Sequence, residues 1–516
     1  MLHPHLARGA LVATLLAAAI AHAQQPGAVT VPVGELRPGQ SLRAIYSDGF
    51  VLSSVDGKNE LRIAASAQLD GRYYPGTPGS PDSFDIRRAR LDLGAKLLGF
   101  MDIRVQAALE DTPYLRNAFM DLYIQRWLRL RVGQFKVPFS TQWLTLDNQL
   151  DFLERSTAEP LYPFIDRGAM LWGGILRDRI VYNLGVFDGA GVDADAPKGD
   201  IDHHKEVAYR LFLQPFRKLG PRPLQGLYFA GQGTYEVTAV PTRRFETRGL
   251  VAPDFESVMW RWRTEQTLGT NGRDTDLLTA TIARKQRWGA EAHYLLGPLT
   301  LSAEWVMIRY TDIQMYHELW QGQSKRVTHD AVGAAQDAEV HSISGYVSVF
   351  VTGERKYLDN FGWRQPTPLR PIGGGADRGW GALELLARVS RTWVPQKYHG
   401  AFADVTPVSV KGYTTADATG IKGPVPAEGA SITAAVFDGA KLMYELTLGA
   451  NWTLNYHCRV QADYTYLVAP NFRTDAAGNG VGGIVTGANA ENLDALQKNQ
   501  QKRSVHELGV RFIFRI

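Results

Sequence analysis

The last stretch of the chain alternates. Leu508, Val510, Phe512, Phe514 and Ile516 are apolar, and Glu507, Gly509, Arg511 and Arg515 lie between them. A period of two reads as a β-strand with one apolar and one wetted face. With no polar tail after it, such a strand would be an aggregation hazard at the edge of a soluble sheet. As a strand of a closed membrane barrel it has lipid on one side, water on the other and both edges paired. The alternation therefore predicts a transmembrane barrel around an aqueous pore.

The pattern recurs along most of the chain. Leu61, Ile63, Ala65, Ala67 and Leu69 alternate with Arg62, Ser66, Gln68 and Asp70, and Ala89, Leu91, Leu93 and Ala95 with Arg88, Arg90, Asp92 and Lys96. Met101 to Ala107, Leu128 to Val132, Leu383 to Val389 and Tyr456 to Tyr466 repeat it. Short links at Leu98-Gly99, Arg126-Trp127 and Gly297-Pro298 read as periplasmic turns. Longer polar stretches near 240–275, 313–338, 392–432 and 470–502 read as extracellular loops, the asymmetry of outer-membrane barrels. Tyr73, Tyr74, Trp172, Trp305, Trp380, Trp452, Tyr464 and Tyr466 lie near strand ends, where aromatic girdles form. The segments number sixteen or seventeen, depending on whether 277–283 and 287–296 are one strand. Even closure favours sixteen, and about 16 strands leave a channel. The expected fold is all-β, a transmembrane antiparallel β-barrel.

Arg8, the apolar run Leu11 to Ile20 and Ala21-His22-Ala23 describe a cleavable secretory signal over residues 1–23. Residues 24–58 read as a periplasmic extension, in which Asp56-Gly57 marks a hairpin, and residues 59–516 as the barrel. Together these predict the outer membrane of a Gram-negative bacterium. The single cysteine, Cys458, excludes an intrachain disulfide framework. A formal net charge of +4 gives no reason to expect nucleic acid as a partner, so ion preference depends on where the arginines sit. No phosphate-cradling glycine loop, nucleophile elbow or zinc spacing occurs, and adjacent His203 and His204 read as a solvated loop. His293 and His457 have no evident serine partner in the sequence. Neither an enzyme, a cofactor nor a metal is expected.

Three stretches carry a resemblance. Val132-Gly133-Gln134-Phe135-Lys136-Val137-Pro138-Phe139 runs on to Phe152-Leu153-Glu154-Arg155-Ser156. Gly345-Tyr346 is followed by Phe350-Val351-Thr352-Gly353-Glu354-Arg355-Lys356-Tyr357. Trp380-Gly381-Ala382-Leu383-Glu384-Leu385-Leu386-Ala387-Arg388 precedes Leu448-Gly449-Ala450-Asn451-Trp452. In this order, across almost the whole mature chain, they resemble the phosphate-selective porin O and P family. The resemblance implies a homotrimeric outer-membrane channel of sixteen strands, seated among lipid and lipopolysaccharide. It also implies an inward-folded third loop and an arginine-lined lumen favouring inorganic phosphate or polyphosphate. Two features depart from the pattern: the terminal Ile516, where an aromatic is usual, and an acidic third loop.

Arginine suits phosphate because its planar donors hold two oxygens at once and keep their charge. Conduction needs weak stops, so a row of modest sites serves better than one deep well. Arg88 and Arg90 share the wetted face of one strand, and Arg104, Arg129 and Arg131 face inward by the same rule. Alternation alone turns Arg87 toward lipid unless it lies at the membrane edge, yet Arg87-Arg88-Ala89 resembles the family's paired lumen arginine. Asp92, Asp102, Asp121 and Glu384 share the lumen face. Pro138 ends a strand, which makes 139–166 the expected constriction loop. Within it Arg155 lies either at the constriction or in an ion pair with Glu154 or Asp151. Asp147, Glu159 and Asp166 either fix the loop to the wall or cancel its attraction for anions. The expected function is passive, anion-preferring diffusion of phosphate or polyphosphate; the alternative is a porin for organic acids or small anions in general.

Overall fold

Period-two strands with one apolar face close on themselves where lipid offers no hydrogen bonds. The computed structural model describes residues 42–46, 49–75, 82–110, 113–189, 191, 204–237, 260–262, 276–281, 283–321, 325–373, 379–403, 413–415, 424–426, 437–471, 473–474, 480–481, 484–485 and 501–516. The expected signal, residues 1–23, lies outside the described residues.

Sixteen antiparallel strands form the wall. They are β1 (Glu60–Tyr73), β2 (Ser83–Leu97), β3 (Met101–Ala108), β4 (Tyr114–Gln125), β5 (Leu128–Lys136) and β6 (Ile165–Ile175). Then come β7 (Ile180–Phe187), β8 (Glu206–Leu213), β9 (Leu227–Glu236), β10 (Arg284–Leu296) and β11 (Leu299–Gln321). The last are β12 (Lys325–Phe350), β13 (Ala382–Trp393), β14 (Leu442–Thr453), β15 (Cys458–Val468) and β16 (Ser504–Arg515). The barrel closes where β16 pairs with β1, from Ser66 opposite Arg515 to Tyr73 opposite Leu508. A further segment, Asp276–Thr281, pairs with β11 beyond the end of β10, along the same edge. The two stretches that left the count at sixteen or seventeen are thus one position in the wall.

The alternation sorts as expected. Leu61, Ile63, Leu69, Phe512 and Phe514 point outward and are exposed, while Gln68, Asp70, Arg72 and Arg511 point inward and are buried. Two aromatics proposed for the girdles face inward instead. Trp172 packs in the lumen against Arg129, and Tyr74 joins an apolar cluster inside the barrel mouth. The polar stretch near 313–338 is paired strand over 313–321 and 325–338 rather than a loop. Antiparallel pairing satisfies the backbone whatever the side chains, so polarity alone did not mark a loop. Most of 240–275 and 470–502 lies outside the described residues. In the extension, Phe50–Ser54 pairs with Leu42–Tyr46 and with Glu60 to Ile63 of β1, below the β16 contact. No helix among the described residues is long and apolar enough to cross a membrane.

Gly133 lies in mid-strand on β5, opposite Phe119, with φ +131°, and a Cβ there would stand 2.3 Å from the Ala118 carbonyl oxygen. Only glycine takes that conformation without strain. Gly133→Ala should cost roughly 1–3 kcal/mol and lower the temperature at which the folded, fast-migrating barrel is lost on gels. An unchanged transition would contradict this register.

Candidate ion path and its charged wall

Pro138 ends β5, and residues 139–164 turn into the lumen. Ser140 starts a short helix, Thr141–Leu144, its hydroxyl accepting from the Gln142 and Trp143 amides at 3.0 and 3.4 Å. Phe139, Trp143, Leu144, Leu161 and Tyr162 pack on inward residues of β11 and β12, including Val306, Ile308 and Val340. The remainder of the loop is held by polar wall residues. The Gln68 amide donates to the Asp147 carbonyl at 2.8 Å, Asn451 to the Asp151 carbonyl at 2.8 Å, and Arg388 to the Glu154 carbonyl at 2.8 Å. Asp463 accepts the Leu153 amide at 2.7 Å. The loop thus crosses the lumen and docks on both sides of it.

Two of its carboxylates organise the arginine wall. Glu154 meets Arg72 at 2.6 Å and Arg87, Arg88 and Arg511 at 3.0 Å each. Asp147 gathers Arg155 at 2.8 Å, Arg116 at 2.9 Å, Arg88 at 3.8 Å, Arg90 at 3.9 Å and Lys136 at 4.0 Å. Burial pushes the Glu154 carboxyl up, but Arg87, Arg88, Arg511 and Arg72 outweigh it and hold it well below the usual carboxylate range. Asp147 is likewise raised by burial and brought well below that range by Arg116, Lys136, Arg155 and Arg88. With Asp70, Glu110, Glu159 and Glu507 included, this network sets eight cations against six carboxylates.

Most of the arginines singled out from the sequence carry carboxylate partners. Arg87, expected to face lipid by alternation, turns inward because it is the extra residue of a β-bulge, opposite the step from Gln68 to Leu69 on β1. Arg88 and Arg90 lie in the Asp147 network, and Arg90 also pairs with Glu110. Arg104 pairs with Asp92 and Arg131 with Asp121, each at 2.7 Å. Arg155 is 3% exposed and is bound within its own loop, to Asp147 and to Glu159 at 3.1 Å, rather than to Glu154 or Asp151. Asp151 instead pairs with Lys356 at 2.7 Å. Arg129 differs from the rest. Its guanidinium lies 4.6 Å from the Tyr123 ring and 4.5 Å from the Trp172 ring, with no carboxylate within 4.0 Å among the described residues.

The sequence reading missed a second inserted segment. Between β12 and β13, at the end of the barrel that carries the short turns, Tyr357–Asp359 and Gly362–Arg364 pair as a small hairpin inside the wall. Trp363 is 2% exposed, and its amide donates to Thr145 Oγ1 of the loop at 2.9 Å. Gly362, at φ +111°, allows this approach, because a Cβ would stand 2.5 Å from the Thr145 nitrogen. Lys356 joins Asp151 to Glu384 at 2.7 and 2.5 Å. The length of the connection from 351 to 381 was the available signal, since the other turns read at this end are tight. The structure also gives His293 partners not evident in sequence: Ser302 Oγ and Glu291, each at 2.9 Å. Arg210, Gln232 and Thr141 already engage Glu291, and Trp363 packs against the His293 ring at 5.3 Å. That group is a closed packing element.

Loss of Glu154 should release the loop from its wall. Glu154→Gln leaves buried guanidinium groups without their shared charge, a loss of roughly 3 kcal/mol or more. Hydrogen exchange should show reduced protection of residues 139–164 with the strand ladders intact. Because the folded pKa of Glu154 is depressed, its contribution is present above the ordinary carboxylate value and lost only as pH falls through the lower, folded value. Protection in the native chain should therefore hold from neutral pH down to about pH 4. Loop release near pH 6 would contradict the assignment.

The family model for phosphate-selective porin O and P matches residues 59–467. No curated protein matches the chain. Among solved structures, OmpT of Vibrio cholerae is 9% identical, covering 89% of this chain and 98% of its own, with a TM-score of 0.46. An anion-selective porin from Comamonas acidovorans is 10% identical, covering 89% and 100%, with a TM-score of 0.45. Salmonella typhi OmpF in complex with daunomycin is 10% identical, covering 92% and 100%, with a TM-score of 0.42. With the family match spanning most of the sequence and a closed sixteen-stranded barrel to carry it, the chain belongs to the phosphate-selective porin O and P family and is a porin of the outer membrane.

Proposed function

We propose that this porin passes anions in preference to cations and that phosphate or polyphosphate is its principal solute. The observation that carries the reading is the excess of cations in the network built on Asp147 and Glu154, eight against six carboxylates. Arg88, Arg90 and Arg155 also meet Glu154, Glu110 and Glu159, yet the cations stay in excess, so the wall between β2 and β5 keeps a positive field toward the lumen. Arg88, Arg90 and Arg116 supply that field while tethered, and tethering keeps each stop shallow. Arg129 is the direct contact in this reading. Tyr123 and Trp172 hold its plane in place, and its terminal N–H groups remain to take two oxygens of a passing ion. Arg155 acts on the ion indirectly, by fixing the loop that carries Asp147. The same reading includes a homotrimer in lipid and lipopolysaccharide, as the family implies, and no enzymatic step.

A specific feature favours small organic acids as a second reading. Phe119 and Phe361 lie 4.1 and 4.9 Å from the Arg131 guanidinium, so apolar rings line this side of the path. Chloride current through the purified porin in a planar bilayer separates the two. Phosphate should block it at lower concentration than acetate or benzoate, and Arg129→Gln should weaken the phosphate block about tenfold, the loss of one charge-assisted hydrogen bond. Equal block by benzoate would favour organic acids, and unchanged block in Arg129→Gln would remove Arg129 from the path.

A further inference from the structure

On the outer surface of the barrel, β13 runs from the short-turn end upward with Leu383, Leu385, Ala387 and Val389 on its outward face, and then Arg391. Arg391 is exposed on that same face. Its partners in register are Ile343 of β12 and Tyr444 of β14, with Trp305 of β11 beyond Ile343. None of these carries a charge. The guanidinium lies 4.9 Å from the Trp393 ring and 5.8 Å from the Tyr444 ring. No carboxylate stands within 4.0 Å of it and no acceptor takes its N–H groups among the described residues. The acids on the outward face above, Asp337 and Glu339, are engaged by Arg309 at 3.2 and 3.8 Å, and Glu339 also accepts from Tyr398 at 3.1 Å.

The height of Arg391 on the wall says what it meets. Leu383 pairs with Trp452, whose indole lies at the lower edge of the apolar face beside Trp380. From Leu383 to Arg391 the strand climbs about 27 Å at roughly 3.4 Å per residue. A tilt of about 40° leaves about 21 Å of that across the membrane, close to the roughly 25 Å of an apolar band. Arg391, Trp305, Tyr444 and Trp393 therefore stand at the upper edge, where hydrocarbon gives way to headgroups. Two rings hold the charge at that level, and its planar fork of donors faces outward. A fork of this kind fits the oxygens of a phosphate. Below it Leu385, Val389, Leu446 and Leu448 are exposed as an apolar strip. A free ion gains nothing from that strip, whereas a lipid has chains to lay on it.

We propose that Arg391, braced by Trp393 and Tyr444, binds the headgroup phosphate of an outer-leaflet glycolipid whose acyl chains lie along Leu385, Val389, Leu446 and Leu448. The inference rests on the lipopolysaccharide contact included in the reading above and gives that contact its residue; it is independent of which ion the lumen passes. The test is native mass spectrometry of the full chain in detergent, titrated with lipid A carrying its phosphates and with lipid A stripped of them. The phosphorylated lipid should bind more tightly. Arg391→Gln should weaken it about tenfold, the loss of one charge-assisted hydrogen bond, and leave the stripped lipid unchanged. Ion conductance of Arg391→Gln should equal that of the native porin, because the residue is outside the lumen, and this shows that the variant is folded. Excess inorganic phosphate should not displace the lipid. Equal affinity for the two lipids in the native chain, or displacement by inorganic phosphate, would overturn the proposal. Tight binding of phosphorylated lipid that persists in Arg391→Gln would overturn this site and leave the lipopolysaccharide contact standing. Binding of neither lipid would remove both.

Discussion

Glu154 holds guanidinium groups from three strands at once: Arg72 on β1, Arg87 and Arg88 on β2, and Arg511 on β16. Those strands straddle the seam where the last strand pairs with the first. One loop carboxylate therefore docks the inward loop and cross-links the closure of the barrel from inside. Removing one partner from a buried ionic group costs about 3–5 kcal/mol, a large share of what a domain has to spare. The loop's seat against β1, β2 and β16 and the arginines of that seam follow from this contact.

An arginine-rich wall without acids would bind anions too tightly to conduct them. Here the acids sit within the same network, and the balance decides how deep each well is. Around Glu154 the charges nearly cancel, through Asp70 and Glu507, and the arginines serve mainly to hold structure. Around Asp147 the acids Glu110 and Glu159 share the load, and the proposed positive field comes from the excess of cations in the whole network. The inserted hairpin adds a second boundary, since Trp363 and Lys356 fill space beneath the loop and tie Asp151 to the wall. In the proposed reading the path runs along β2 to β6, where Arg129 stands between two rings.

Much of this was legible in the sequence because membrane strands obey one simple rule. Alternation fixed which side chains of Leu61 to Arg72 face lipid and which face the lumen, and Pro138 marked where the third loop leaves the wall. The rule fails where the ladder does. Arg87 turns inward through a bulge, which arises from the pairing of two strands and leaves no periodic signal in either. Trp172 looked like a girdle residue because interfacial tryptophans and lumen tryptophans occupy the same strand ends. The partners of Glu154 were out of reach for a different reason: they lie far apart in the chain, and even within one loop, where Arg155 takes Asp147 and Glu159, a charge in sequence does not name its counter-charge. Ser302, His293 and Glu291 met across a hairpin register that composition cannot supply. The hairpin at 357–364 was hidden by the assumption that connections at the turn end are short.

The central claim is that a lumen in which most arginines are already paired still favours anions, through the excess of cations in the network of Asp147 and Glu154 and through Arg129, which has no carboxylate within 4.0 Å among the described residues. The zero-current potential of the native porin across a potassium chloride gradient tests it most directly. Chloride should be the more permeant ion, with the potential shifted toward the chloride equilibrium value. A potential on the potassium side would mean that the loop carboxylates set the field, and the account would be wrong at its base.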